Sequence, residues 1–96
     1  MPRIRVEFRG PLARALGSPS KEVDLQDDQV TLQDLLHDLL GLSDELRRLW
    51  ATPEEVLQET LVLVNETDAT LTGGLTTPLQ EGDSVVILPL VHGGAS

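Results

Sequence analysis

The chain has 96 residues, with 16 Asp and Glu against 7 Lys and Arg, and carries a formal net charge of −9. It has no cysteine, which excludes disulfides, thiol nucleophiles and zinc–thiolate centres. The acidic balance argues against nucleic-acid binding and permits attraction to a basic protein partner. The length is that of one domain, which buries roughly 60–65% of its unfolded surface. Phe8 and Trp50 are the aromatic residues, so the core must be built from Leu, Val and Ile. No apolar run approaches the ~20 residues of a membrane-spanning helix. The N-terminal segment MPRIRVEFRG lacks the apolar stretch of a signal peptide, which makes a cytoplasmic location the expectation. There the sequon Asn65-Glu66-Thr67 would stay unused.

RIRVEFR, residues 3–9, alternates strictly, with Ile4, Val6 and Phe8 on one side, and predicts a half-buried strand. Gly10-Pro11 breaks it, and the four-residue spacing of Leu12 and Leu16 fits one short helical turn or a compact loop ending at Gly17. KEVDL, residues 21–25, alternates again with Val23 and Leu25 inward, so the two strands can pair as a hairpin with a long connection. TLQDLLHDLL, residues 31–40, is the clearest helix. Thr31 and Asp34 make an N-terminal capping pair, and Leu32, Leu35, Leu36, Leu39 and Leu40 form one continuous stripe. Burial of that stripe supplies on the order of 10 kcal/mol before entropy is charged, and it needs a sheet face to cover it. Gly41 is placed to end the helix in a left-handed conformation.

SDELRRLW, residues 43–50, predicts a shorter helix capped by Ser43, and the acidic TPEEVLQE, residues 52–59, a loop with one helical turn. The unpunctuated run TLVLV, residues 60–64, fits a central strand. Thr70-Leu71 is expected as a short edge strand before the Gly73-Gly74 turn, and Gly74 to Pro78 as a polar crossing. Glu81-Gly82-Asp83 is a turn launching SVVILPL, residues 84–90, a strongly apolar strand that should stop near Pro89 because proline cannot donate to a ladder. A hairpin, one main helix and late strands returning beside the first define an α+β roll with a mixed sheet.

Parts for stand-alone catalysis are few. His37 lies in the helical pattern beside acids, as a surface residue, and His92 is isolated. The pairs Asp27-Asp28 and Glu54-Glu55 fall in polar stretches, as solvated acids and not an acid/base pair. No metal ligand set and no phosphate-binding loop is present, so the protein is expected to be non-catalytic and to bind no cofactor. The segment with most chemical content is the end of the chain, LPLVHGGAS, residues 88–96.

The order of elements is that of the ubiquitin-like β-grasp fold, and the residues carry a matching resemblance. FRGPLARALG and LVLVNETD are similar to segments of the small subunit of molybdopterin synthase. TPLQEGDSVVILPLVHGG is the stronger match: a leucine, an acid-Gly-Asp turn, an apolar strand, a proline and a Gly-Gly tail. His-Gly-Gly also resembles the ends of the ubiquitin-related modifier and the archaeal small modifier proteins. The resemblance implies a β-grasp domain over residues 1–90 and a flexible tail over 91–96, with Gly93-Gly94 followed by a two-residue extension.

It further implies a sulfur carrier or protein modifier. A partner activating enzyme uses ATP to adenylate the carboxylate of Gly94, with Gly93 easing passage into that enzyme's site because glycine lacks a β-carbon. From Leu90 to Gly94, five extended residues reach about 16 Å. A persulfide or cysteine then attacks, giving a thiocarboxylate for molybdopterin synthesis or tRNA thiolation, or a thioester on the way to a lysine of a target protein. The tail of a synthase small subunit would instead serve its large subunit. Sulfur carriers of this kind usually end at the second glycine, whereas Ala95 and Ser96 follow here. They are expected to be removed by cleavage between Gly94 and Ala95, for which a deubiquitinase-like metalloprotease is suited.

Val86, Leu88 and Leu90 are expected to point outward from the last strand and dock a partner, while Val85 and Ile87 point inward. Lys21 is the sole lysine and hence the one side chain able to accept a second copy. The alternative is a β-grasp interaction module with an inactive tail. No membrane or nucleic-acid partner is expected.

Overall fold

The computed structural model describes residues 2–90. The alternating N-terminal segment forms β1 (Arg3–Phe8), with Ile4, Val6 and Phe8 buried. Gly10, at φ 59 and ψ −135, takes a backbone conformation that a β-carbon disfavours. It turns the chain off the strand into the short helix α1 (Pro11–Leu16), which ends at a left-handed Gly17 as its sequence predicts. β2 (Ser20–Asp24) returns antiparallel to β1, with Val23 opposite Ile4 and Lys21 opposite Val6.

β3 (Val30–Thr31) leads into α2 (Leu32–Leu42). The capping box forms as expected: Thr31 Oγ1 accepts from the Asp34 N–H, and the Asp34 carboxylate accepts from the Thr31 N–H at 2.9 Å. All five stripe leucines are buried. The helix does not stop at Gly41 in a left-handed turn; it continues to Leu42 and ends on an extended Ser43. Two contacts remove the need for the glycine. Arg47 donates to the carbonyls of Leu40 and Gly41 at 2.8 and 3.0 Å, satisfying the acceptors that a left-handed cap would have served. Ser43 meanwhile caps the next helix, α3 (Asp44–Leu49), accepting from the Leu46 N–H.

Residues 52–59 are helical and not a loop: α4 (Pro53–Glu59) carries a full capping box between Thr52 and Glu55, with proline in its first turn. Thr-Pro-Glu-Glu is itself an N-terminus signature, and the acidic composition obscured it. β4 (Thr60–Val64) follows directly. The edge strand expected at Thr70-Leu71 lies instead at β5 (Thr67–Asp68). The Asp68 carboxylate accepts from the Thr70 N–H and hydroxyl at 2.9 and 2.8 Å, and this bends Ala69–Leu71 into a 3-10 turn. A second 3-10 turn, Gly74–Thr76, makes the polar crossing to β6 (Pro78–Leu79), which pairs with β3. After the turn at 80–83, β7 (Ser84–Pro89) completes the sheet and ends at the proline.

The main sheet has the order β2-β1-β7-β4-β5. β7 runs parallel to β1 and antiparallel to β4, so the last strand is the central one. The α2 leucines join Ile4, Val6, Val62, Val85 and Ile87 in one core between helix and sheet. This is the mixed sheet with one main helix across it that the pattern of elements predicts; α3 and α4 are further helices beside it.

Val64 and Thr67 pair across a two-residue loop, and both loop residues have positive φ, 49° at Asn65 and 72° at Glu66. Such loops favour Asn followed by Gly, and a glutamate in the second place is strained. Glu66→Gly is expected to raise unfolding stability by about 0.5–1 kcal/mol in denaturant titration, after the entropic cost of glycine is deducted.

Candidate interaction face and C-terminal tail

The two-residue period of β7 sends Val85 and Ile87 into the core at 0% and 1% exposure. Val86 and Leu88 therefore stand on the sheet face away from α2, both half-buried, as the alternation predicts. On β4, Leu63 lies opposite Val86 and Leu61 opposite Leu88, each also half-buried. These four aliphatic side chains form one block on the helix-free face. Leu90, 44% exposed, follows β7 directly and continues the apolar path toward the tail.

The rim of the block is charged. Glu7 lies beside Val86 in the β1–β7 register. Its carboxylate is held by Arg9 Nη2 at 2.9 Å and Arg5 Nε at 3.5 Å. Farther along the same face, Arg3 Nε donates to Asp24 Oδ1 at 2.8 Å. That hydrogen bond, reinforced by the guanidinium charge, holds the Asp24 carboxyl below the usual aspartate range. Three of the chain's seven cationic side chains thus gather here, on a protein of net charge −9.

The position of the block is fixed at its far end by Asn65. Its side-chain amide donates to Asp83 Oδ1 and its Oδ1 accepts from the Ser84 N–H, both at 3.0 Å, while its own N–H donates to the Ser84 carbonyl at 2.8 Å. The turn at 80–83 is tied on its other side to β1: Gly82 N–H to Arg3 O and Arg5 N–H to Asp83 O, each 3.0 Å, and Arg3 N–H to Glu81 Oε1, 2.8 Å. β7 is therefore seated between β1 and β4 in one register, which decides which residues face out.

Lys21 is exposed on β2 on the same side as the buried Val23, hence on the helix side of the sheet, and the fold does not bring it to the block. His37 is a surface residue, its side chain 80% exposed beside Asp38. Asp27, Asp28 and Glu54 are exposed, and Glu55 serves the α4 cap. Among the described residues no group of three or more His, Asp or Glu side chains is placed to hold a metal ion, and no helix is long and apolar enough to cross a membrane. Gly93, Gly94 and Ala95 lie outside the described residues. The sequence pattern missed Leu61 and Leu63, because the four consecutive aliphatic residues 61–64 carry no polar alternation to say which side chains face out. Asn65 was also missed, although an asparagine opening a two-residue turn is a recognisable signal.

A mixed sheet of this order with a helix across one face and the last strand at its centre is the ubiquitin-like β-grasp roll. The sequence profile of the ThiS family matches residues 6–94, and the chain belongs to that family. It is 36% identical over 63 residues to the sulfur carrier protein CysO of Mycobacterium tuberculosis, an alignment spanning 66% of this chain and 67% of CysO. The crystal structure of SAMP1 from Haloferax volcanii is similar at TM-score 0.78 and 27% identity, covering 96% of this chain and 99% of SAMP1. A chain of the Amycolatopsis orientalis BexX/CysO complex is similar at TM-score 0.70 and 25% identity, covering 95% and 99% respectively. The family and these neighbours are ubiquitin-like sulfur carriers and modifiers, and proteins of this kind are found in complexes with partner proteins.

The rim makes a measurable statement about charge. Replacement of Arg3 by Gln is expected to move the Asp24 titration midpoint up to that of an ordinary exposed aspartate, followed by NMR of the side-chain carboxyl. An Asp24 midpoint unchanged by the substitution would show that Arg3 is not its cause.

Proposed function

We propose that this protein is a non-catalytic carrier whose working end is Gly94, activated as an adenylate by a partner enzyme that uses ATP, and then converted to a thiocarboxylate or joined to lysines. The single observation that carries this reading is the central strand. β7 leads from a clamped turn, past the outward block of Val86, Leu88, Leu61 and Leu63, to Leu90, and the family match extends on to residue 94. The block docks the body of the activating enzyme, and the segment after Leu90 spans to its active site. Catalytic groups come from the partner, and no cofactor is held by the carrier. The location this implies is the cytoplasm, where activating enzyme and ATP meet the carrier.

In the sequence, Gly94 is joined to Ala95 by an amide. An amide carbonyl offers no free oxygen to attack the α-phosphate of ATP, so activation at Gly94 requires prior hydrolysis of that bond. A metalloprotease cutting between Gly94 and Ala95 fulfils that need, and Gly93-Gly94 gives it a backbone without side chains to accommodate.

The names of the relatives support both uses of the activated end, sulfur carriage from the sulfur carrier protein CysO and protein modification from SAMP1, a small archaeal modifier protein. In the first, a synthase large subunit or thiolating enzyme receives the sulfur; in the second, a lysine-bearing target receives the chain.

Three expected outcomes test the proposal. With the cognate activating enzyme, protein ending at Gly94 should support ATP–pyrophosphate exchange, whereas protein ending at Ser96 should not; equal exchange by both would refute the need for cleavage. Leu88→Arg, on the half-buried face, should lower kcat/KM for exchange at least about tenfold while leaving the circular dichroism unchanged. If conjugation occurs on the chain itself, Lys21→Arg should remove every lysine-linked dimer seen by intact mass. A native mass ending at Ser96, with no exchange by either form, would leave an interaction module with an inactive tail.

A further inference from the structure

The sheet has an open edge on the side away from β5. β2 is the terminal strand, bonded to β1 alone. Phe8 N–H donates to Pro19 O at 2.8 Å and Leu25 N–H to Pro2 O at 2.9 Å. An antiparallel ladder bonds every second residue, so the bonded residues of β2 are Lys21 and Val23. The backbone groups of Ser20, Glu22 and Asp24 therefore face outward. Ser18 Oγ donates to the Ser20 carbonyl at 2.8 Å. Among the described residues, no hydrogen bond from another element reaches the outward N–H and C=O of Glu22 and Asp24. Strand edges of this kind are the template for an added strand.

Two hollows that share Leu42 make up a groove beside that edge, on the helix side. One end holds about 160 Å³, with Phe8, Leu16, Leu42 and Leu46 on its wall and serines, Lys21 and Glu45 completing the lining, space for one branched aliphatic side chain. Its other end lies between Val23 and the His37–Asp38 stretch of α2. Leu42 lines both ends and is 62% exposed among the described residues.

Charge limits what can fill it. On the helix side Asp38 and Glu45 line the groove against Lys21, while the Glu22 and Asp24 carboxylates of the edge stand on the other face beside Arg3. A second copy is a poor occupant: antiparallel pairing of two β2 strands centred on Glu22 sets glutamate against glutamate, between bodies of charge −9 each. We propose that the β2 edge and its groove accept an extended segment of a partner protein as an added strand, one with basic residues alternating with branched aliphatic ones. The partner's backbone bonds Glu22 and Asp24, an aliphatic side chain fills the Leu42 end, and its lysines or arginines meet Asp38 and Glu45. This surface is separate from the Val86–Leu88 face, so the proposal stands or falls independently of the carrier reading.

The test is NMR on the full-length chain labelled with nitrogen-15, titrated with a capped hexapeptide alternating lysine and isoleucine, and with its glutamate counterpart. The lysine peptide should shift the Ser20, Glu22 and Asp24 amides saturably and slow hydrogen exchange at Glu22 and Asp24 by about tenfold, which diffuse ionic attraction would not do. The glutamate peptide should leave both unchanged. Glu22→Pro removes an outward donor without touching the β1–β2 ladder, and should abolish the protection. Leu42→Asp, at an exposed site, should weaken binding about fivefold or more and carries the test should the proline variant fail to fold. Unsaturable shifts, or shifts confined to Leu61, Leu63, Val86 and Leu88 with exchange at Glu22 and Asp24 unaltered, would overturn the proposal.

Discussion

The register of β7 is the constraint on which the rest of the molecule depends. A strand has a period of two, so a slip of one residue would carry Val85 and Ile87 to the surface and Val86 and Leu88 into the core. The sequence of β7 does not by itself prevent that, since every residue from Val85 to Leu88 is aliphatic. The turn at 80–83 prevents it. Tied to β1 through Arg3 and Arg5 and to the β4–β5 loop through Asn65, it admits β7 at one setting only. The core under α2 and the apolar block on the other face are two results of that single setting.

The parts of this fold that sequence reasoning reached are those with a local cause. The α2 stripe and its capping box, the alternation of β1 and β2, Ser43 as a helix cap and Pro89 as a strand end all rest on contacts within a few residues. The parts it missed have causes distant in the chain or signals in competition. Gly41 looked like a helix end because the guanidinium that replaces a left-handed cap comes from Arg47, on the next helix. Residues 52–59 looked like a loop because acidic composition outweighed a capping box. Thr70-Leu71 alternates no worse than Thr67-Asp68, and the Asp68 carboxylate decides between them.

The candidate interaction face divides in the same way. Val86 and Leu88 were legible from β7 once Val85 and Ile87 were assigned inward. Leu61 and Leu63 were not, because their facing is inherited from β7 through the antiparallel pairing. The tail is the reverse case: the chemistry of Gly93-Gly94 is read from sequence, and the family match extends to residue 94. In the proposed function the body of the domain contributes to that chemistry a surface and a direction.

That direction has a mechanical meaning. Load applied to the chain beyond Leu90 runs along the axis of β7, which is bonded to β1 on one side and β4 on the other. Both ladders are then sheared lengthwise, and their hydrogen bonds resist together. The opposite edge behaves otherwise, since β2 is bonded on one side and can be peeled away one bond at a time. The domain is thus stiffest along the line by which a partner would hold it, and a machine that draws proteins in from this end meets its greatest resistance at the first strand.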